Sequence, residues 1–267
     1  MKVLPGVPEV AVFDTSFHQT WDPVHYLYSL PYKYYEKYGA RKYGAHGTSV
    51  RYVSQKAAEI MKRDLKDLKL IVCHLGSGAS VTAVKDGKSF DTSMGFSPMA
   101  GITMSSRSGD VDPSLLAFVM KKENLDADQM LKVLNNESGL LGISGISPDM
   151  RDLRGDMTKL EGQKKKRADL ARNIFINRII RYIGAYTLEM RGLDGIAFTA
   201  GVGEHDFGVR EHVMDSLELL GLKPDSAANK ENATIITKPD STIVGMVIPT
   251  NEELMIERDV VRVAGLK

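Results

Sequence analysis

The stretch from Leu70 to Asp91 constrains the fold most, because it strings short apolar runs together through glycine turns with no helix between them. Leu70 to Cys73 reads as a buried strand ending at His74-Leu-Gly-Ser-Gly-Ala-Ser80, and another strand begins directly at Val81. Asp86-Gly87 then supplies the positive φ angles of a tight primed turn, which adds a hairpin ending at Asp91. A dinucleotide fingerprint needs a helix after its glycine turn, so this segment is not a Rossmann turn. The sequence also lacks the Gly-x-x-x-x-Gly-Lys-[Ser/Thr] loop. A nucleotide bound here must be held by a hairpin.

Three further β-branched runs end at polar or glycine-rich turns: Val10 to Phe13 before Asp14, Ile196 to Phe198 before Thr199, and Ile243 to Ile248 before Pro249. Helical periodicity fills the intervals at Ser49 to Asp64, Ala127 to Asn135, Ala168 to Arg191, Arg210 to Leu220 and Asn251 to Val263. Strands alternating with helices give an α/β class. Asp14 to Ser16 and Asp91 to Ser93 repeat one tripeptide, which is too little to assign an internal repeat. The basic run Lys159 to Arg167 reads as the solvated start of a long helix. Tyr26, Tyr28, Tyr32, Tyr34 and Tyr35 lie in an irregular segment with Pro23 and Pro31, where packing or a subunit contact explains the aromatic area better than base stacking.

Thirty-five basic against thirty-four acidic residues leave a net charge of +1, which supplies no field for nucleic acid. Cys73 is the only cysteine, so neither an internal disulfide nor a thiolate metal cluster can form. No apolar stretch approaches a membrane span, and the first residues lack the apolar segment of a secretory signal. The expectation is a cytoplasmic chain with no membrane and no nucleic-acid partner.

The run from Asp91 to Pro113 packs glycines, hydroxyls and Arg107 into a segment that reads as too polar for core. It is an anion-handling loop by composition, with free backbone N–H groups and a guanidinium able to fork onto carboxylate or phosphate. Ala200-Gly201-Val202-Gly203-Glu204-His205 lies between the strand ending at Thr199 and a helix beginning near Asp206 or Gly208. Its glycines let backbone approach a flat ligand. Asp14 follows a strand, where open α/β sheets place ligands. On residue type alone, His46, like His18, His25 and His212, is a structural histidine, Asp149 after Pro148 is a helix N-cap, and Glu252 is a first-turn acid favoured by the helix dipole.

Taken together, Gly44-Ala-His46-Gly-Thr-Ser49, His74-Leu-Gly-Ser-Gly-Ala-Ser80, Arg107 in its loop, and Pro249-Thr-Asn-Glu252-Glu-Leu254 resemble the acetate kinase family. That family stands within the superfamily of acetate and sugar kinases, actin and Hsp70-type ATPases. The resemblance implies a ribonuclease H-like actin/Hsp70-type ATPase lobe with a mixed sheet and flanking helices. It implies reversible phosphoryl transfer from ATP to acetate, giving ADP and acetyl phosphate, with propionate or another short-chain carboxylate as the alternative acceptor. It implies magnesium, or manganese in its place, linked to Glu252, and a homodimer. Asp14, His46 and Arg107 become the catalytic residues, with Asp14 ordering metal-bound water and the other two neutralising the phosphoryl group in flight. His74, Leu75, Gly76, Ser77, Gly78, Asp149, Met150, Arg151, Gly201, Val202, Gly203, Glu204 and His205 become the nucleotide site. Ala45 and Pro98 fall in the acyl pocket.

The family pattern has Phe before the histidine where this chain has Ala45, His where it has Val50, and Asn where it has Ser77. Loss of the ring at Ala45 is expected to enlarge the acyl pocket. The resemblance covers the C-terminal two thirds of the family, with residues 1–14 and 251–267 near an interdomain boundary. The family's N-terminal lobe, with its phosphate loop and acyl-gripping arginine, has no counterpart in the sequence. The expectation is that this chain alone binds nucleotide weakly and catalyses little, or persists as a non-catalytic nucleotide-binding or dimerising remnant.

Overall fold

The computed structural model describes residues 7–155 and 159–265. Its centre is a five-stranded sheet in the order β3-β2-β1-β4-β5. The strands are β1 (Lys69–Leu75), β2 (Ala79–Lys85), β3 (Lys88–Thr92), β4 (Gly195–Thr199) and β5 (Val244–Val247). β1, β2 and β3 form an antiparallel meander, while β4 and β5 add in parallel beside β1. The Asp86-Gly87 turn has both residues at positive φ, 54° and 73°, as the dipeptide requires.

The helices are α1 (Pro23–Tyr26), α2 (Lys33–Tyr38), α3 (Gly47–Met61), α4 (Pro113–Glu123), α5 (Ala127–Asn136), α6 (Gly139–Ser144), α7 (Gly162–Met190), α8 (Ala200–His205), α9 (Phe207–Asp215), α10 (Ser226–Lys230) and α11 (Glu252–Ala264). Strand alternation divides β1 between two apolar layers. Leu70 and Val72 pack with Val50, Val53 and Ala57 of α3 on one face. Ile71, Cys73 and Leu75 pack with Phe175, Ile179 and Ile183 of α7 on the other. Residues buried on both sides explain why β1 reads as a continuous apolar run. Arg51 of α3 grips Asp259 of α11 through two bonds of 2.8 and 2.9 Å, which fixes the helix that Glu252 begins.

Val10 to Phe13 is not a strand: residues 7–13 carry no ladder, and Phe13 is 67% exposed. β-branched residues favour strand only where a pleated surface receives them, and no described strand pairs with this segment. The loop from Ser93 to Asp112 is likewise less polar in space than in sequence. Met94, Ile102 and Met104 are fully buried in the α7-side core, so part of the segment is core. The helix expected from Arg210 to Leu220 ends at Asp215 and gives way to a short 3-10 turn at Glu218–Leu220. α4 and α6 had no periodic signal; no residue of α4 is buried.

Candidate active site

The carboxyl ends of β1, β4 and β5 lie side by side, with His74 paired to Thr199 and Phe198 paired to Val247 in the parallel registers. The β1–β2 turn, Gly76 to Gly78, therefore emerges beside the starts of α8 and α11. The N-terminus of α3 closes the group from the other face.

Asp14 reaches this edge from a turn rather than from a strand end. Its Oδ2 accepts the His46 N–H at 2.6 Å, its Oδ1 the Thr48 N–H at 3.1 Å, and its carbonyl the Gly47 N–H at 2.9 Å. The carboxylate thus sits on the positive end of α3. His46 caps that helix in the left-handed region, φ 62°, an uncommon conformation for a non-glycine residue that the Asp14 bonds sustain. Its ring Nδ1 meets Ser80 Oγ at 2.9 Å. The ring stacks on His74 with centroids 4.0 Å apart. Burial lowers the pKa of His46, with Asp14 opposing and Arg107 reinforcing. Burial, with His46 beside it, takes His74 down to about 3. Burial thus favours the neutral form of both rings.

Arg107 points its Nη1 at the Pro98 carbonyl, 3.0 Å away. Its loop is tied to the glycine turn by Ser105 N–H to Ser77 O at 3.2 Å. A Cβ placed on Gly78 would lie 3.3 Å from His46 Nε2 and 3.4 Å from Arg107 Nη1, so a side chain there would fill the gap between the two groups. Glu252, at the start of α11, has its pKa raised by burial and then by the charge of Asp14, which places two carboxylates in one field. The opposite side of the glycine turn borders a cavity of about 560 Å³. Gly76, Ser77, Asp149, Met150, Arg151, Gly201, Val202 and His205 line it together with Leu140 and Phe175. Its volume and its mixed wall, apolar surface beside charged groups such as Asp149, Arg151 and Asp206, suit one small organic ligand.

Thirteen residues were expected at the nucleotide, and the cavity wall holds eight of them. His74 belongs to the stacked pair instead. Gly78 faces His46 and Arg107. Leu75 points into the core and is fully buried. Gly203 packs against the β1 backbone, with Cys73 O 3.5 Å from its Cβ position. The Glu204 carboxylate turns back to accept the Ala200 N–H at 2.8 Å. Gly203 and Glu204 sit within a helix, not the loop read from sequence, since α8 begins directly at the end of β4. Asp149 lines the cavity and caps the 3-10 turn Met150–Leu153: it accepts the Arg151 N–H at 2.9 Å and pairs with the Arg151 guanidinium at 2.6 Å, whose bonds lower its pKa. Ala45 is buried at the core edge, its carbonyl 3.1 Å from His18 Nε2. Pro98 contributes its carbonyl to Arg107 and does not line the cavity. His18, His25 and His212 stand outside the site, bonded or paired to Ser89, Asp91 and the Gly208 carbonyl.

Sequence reasoning passed over Ser49, Ser80, Thr199 and Thr250. Ser49 Oγ contacts His74 Nδ1 and Thr250 Oγ1, each at 2.8 Å. Thr199 Oγ1 is buried without a hydrogen-bond partner among the described residues.

The sequence profile of the acetokinase family matches residues 1–258. The chain belongs to that family. An acetate kinase of Lacticaseibacillus paracasei is 57% identical over 97% of this chain and 65% of the relative, and one of Bacillus subtilis is 55% identical over 98% and 66%. The chain therefore spans just under two thirds of the length of these acetokinase relatives. Among solved structures, Porphyromonas gingivalis acetate kinase superimposes with a TM-score of 0.94 at 43% identity, covering 98% of this chain and 66% of that one. A propionate kinase from Francisella tularensis gives 0.88 at 42%, covering 96% and 64%. The mixed sheet with flanking helices is thus the actin/Hsp70-like ATPase fold of these acetokinases.

Proposed function

We propose that this chain is the C-terminal, nucleotide-binding lobe of an acetate kinase, transferring the γ-phosphoryl group of ATP to acetate and releasing ADP. One observation carries the reading: the Gly76–Gly78 turn has a cavity of nucleoside size on one side and Asp14, His46 and Arg107 on the other. A phosphate chain running along that turn from the cavity would end between His46 and Arg107. In the reaction a carboxylate oxygen of acetate forms a bond to the γ-phosphorus as the bond to the bridging oxygen of ADP breaks. Acetate is already ionised at neutral pH, so no base is required. The residues' task is electrostatic: Arg107 and the neutral His46 donate to the equatorial oxygens as charge spreads over them.

Asp14 and Glu252 offer only two carboxylates, both on hard oxygen, and the Asp14 pair is held rigidly by backbone N–H groups. That donor set fits a divalent ion of the magnesium or manganese kind that keeps several waters and takes phosphate oxygens as further ligands. Bound there, the ion would supply positive charge to the phosphates. The carboxylates' part is to orient its water.

The same reading includes a homodimer and a cytoplasmic location; no helix among the described residues is long and apolar enough to cross a membrane. Acetyl phosphate formation from ATP and acetate, measured for this chain with and without a co-expressed N-terminal lobe from a full-length relative, tests the proposal. Activity appearing only with both lobes supports it; nucleotide turnover indifferent to acetate and propionate overturns it. Competition between acetate and propionate in the same assay identifies the acceptor.

A further inference from the structure

We infer that a part-buried hydroxyl relay, Thr250 to Ser49, sets the tautomer of His74, while Ser80 sets that of His46, so that the stacked rings present two neutral Nε2–H donors to the Gly76–Gly78 turn. The inference rests on the phosphoryl-transfer reading for the direction of the relay, while the contacts themselves are independent of that reading.

The two imidazoles lie 4.0 Å apart at 22°, His74 buried and His46 half-buried. Two cations in that arrangement would repel strongly in a low dielectric, so the stack favours uncharged rings. A neutral imidazole has one N–H and one bare nitrogen, and the partner of the first nitrogen decides which is which. The pair is built alike: each Nδ1 meets a serine hydroxyl, Ser49 at 2.8 Å for His74 and Ser80 at 2.9 Å for His46. Each Nε2 faces the glycine turn, 3.9 Å from a Cβ position on Gly76 and 3.3 Å from one on Gly78.

The direction of the relay follows from what each arrangement turns toward the phosphates. Ser49 Oγ lies 2.8 Å from both His74 Nδ1 and Thr250 Oγ1. If Thr250 donates to Ser49 and Ser49 donates to Nδ1, both hydroxyl protons are used and the Nε2–H faces the turn. If the chain runs the other way, the spare proton sits on the half-buried Thr250, where water can take it, and a bare Nε2 lone pair faces the turn. Each arrangement leaves one donor over. Only the first puts it where a phosphoryl oxygen would come, and the lone pair of the second would repel that oxygen. Ser80, fully buried, can donate to His46 in the same sense. Ser49 is 25 residues from His74 and 201 from Thr250, so the relay ties α3, β1 and the loop before Glu252 into one unit. Ser49, Thr250 and Ser80 are positioning residues; none faces the turn itself.

The test reads the imidazole nitrogens directly, by long-range proton–nitrogen correlation NMR on this chain with labelled histidine at neutral pH. The relay predicts the Nε2–H tautomer for both His46 and His74. Ser49→Ala should move His74 to a mixed or Nδ1–H population while His46 keeps its signature, and Ser80→Ala should do the converse. Thr250→Val should shift His74 in the same direction as Ser49→Ala but less. In the two-lobe enzyme Ser49→Ala should lower turnover tenfold or more with nucleotide affinity unchanged. An Nδ1–H tautomer for His74 in the parent chain, or a His74 tautomer indifferent to Ser49→Ala, overturns the relay. If the tautomers behave as expected and the two-lobe protein transfers no phosphoryl group, the relay stands and the activity reading falls. Dispersed backbone spectra of each variant establish that the fold is kept.

Discussion

Acid should unfold this protein through its buried histidines, and the size of the effect follows from two of them. Burial pushes His18 from 6.5 to about 4 and His74 to about 3. In the unfolded chain both take up a proton as pH falls through 6.5, whereas the folded chain refuses it until pH 4 or below. The unfolded state therefore binds more protons, and stability is full above pH 7 and is lost as pH falls through that window. Between pH 7 and pH 5 each histidine costs about 2 kcal/mol, so the pair removes roughly 4 kcal/mol, a large part of an ordinary domain's stability. For a chain of this length that is a fall in Tm on the order of 10 °C. Urea unfolding followed by circular dichroism at the two pH values gives the difference directly. His18→Gln removes one titrating group and should halve the loss, whatever it does to stability at pH 7. A pH dependence identical in the parent and in His18→Gln would refute the reasoning.

A methyl on Gly47 would lie 2.2 Å from the Asp14 carbonyl oxygen, so Gly47→Ala should push Asp14 off the α3 terminus. Although alanine favours helix, the clash should win by roughly 1–3 kcal/mol in urea unfolding, and a stabilised variant would contradict the contact. The exposed apolar side chains Val24, Leu30, Tyr32, Tyr38 and Leu188 favour a partner surface, and light scattering at micromolar concentration should give twice the chain mass. A clean monomer would show that this chain does not associate by itself.

The meander and its two turns were legible because each rests on local chemistry: an apolar run, a Gly-x-Gly, and Asp86-Gly87. Val10 to Phe13 misled for the same reason, since its composition suits a strand but a strand exists only with a neighbour to bond. The Ser93 to Asp112 loop misled in the opposite sense, because Met94, Ile102 and Met104 are scattered without period and no pattern shows that they turn inward. His46 and Arg107 could be named from their motifs. Ser49 and Thr250 could not, because an ordinary serine and threonine gain their role only where folding closes a separation of 201 residues. Leu75 and Gly203 carry the converse lesson: membership in a glycine-rich motif does not decide which residues line the cavity and which hold the backbone.

Arg107→Ala is the most direct test of the central claim that this edge of the sheet stabilises a phosphoryl group in transit. Turnover to acetyl phosphate in the two-lobe enzyme and ADP affinity of the chain by calorimetry should be measured on the same variant. Because the guanidinium stands beside Gly78 and His46 and outside the cavity wall, turnover should fall by about 100-fold or more while ADP affinity changes little. Loss of ADP binding with turnover per bound nucleotide intact would contradict the account.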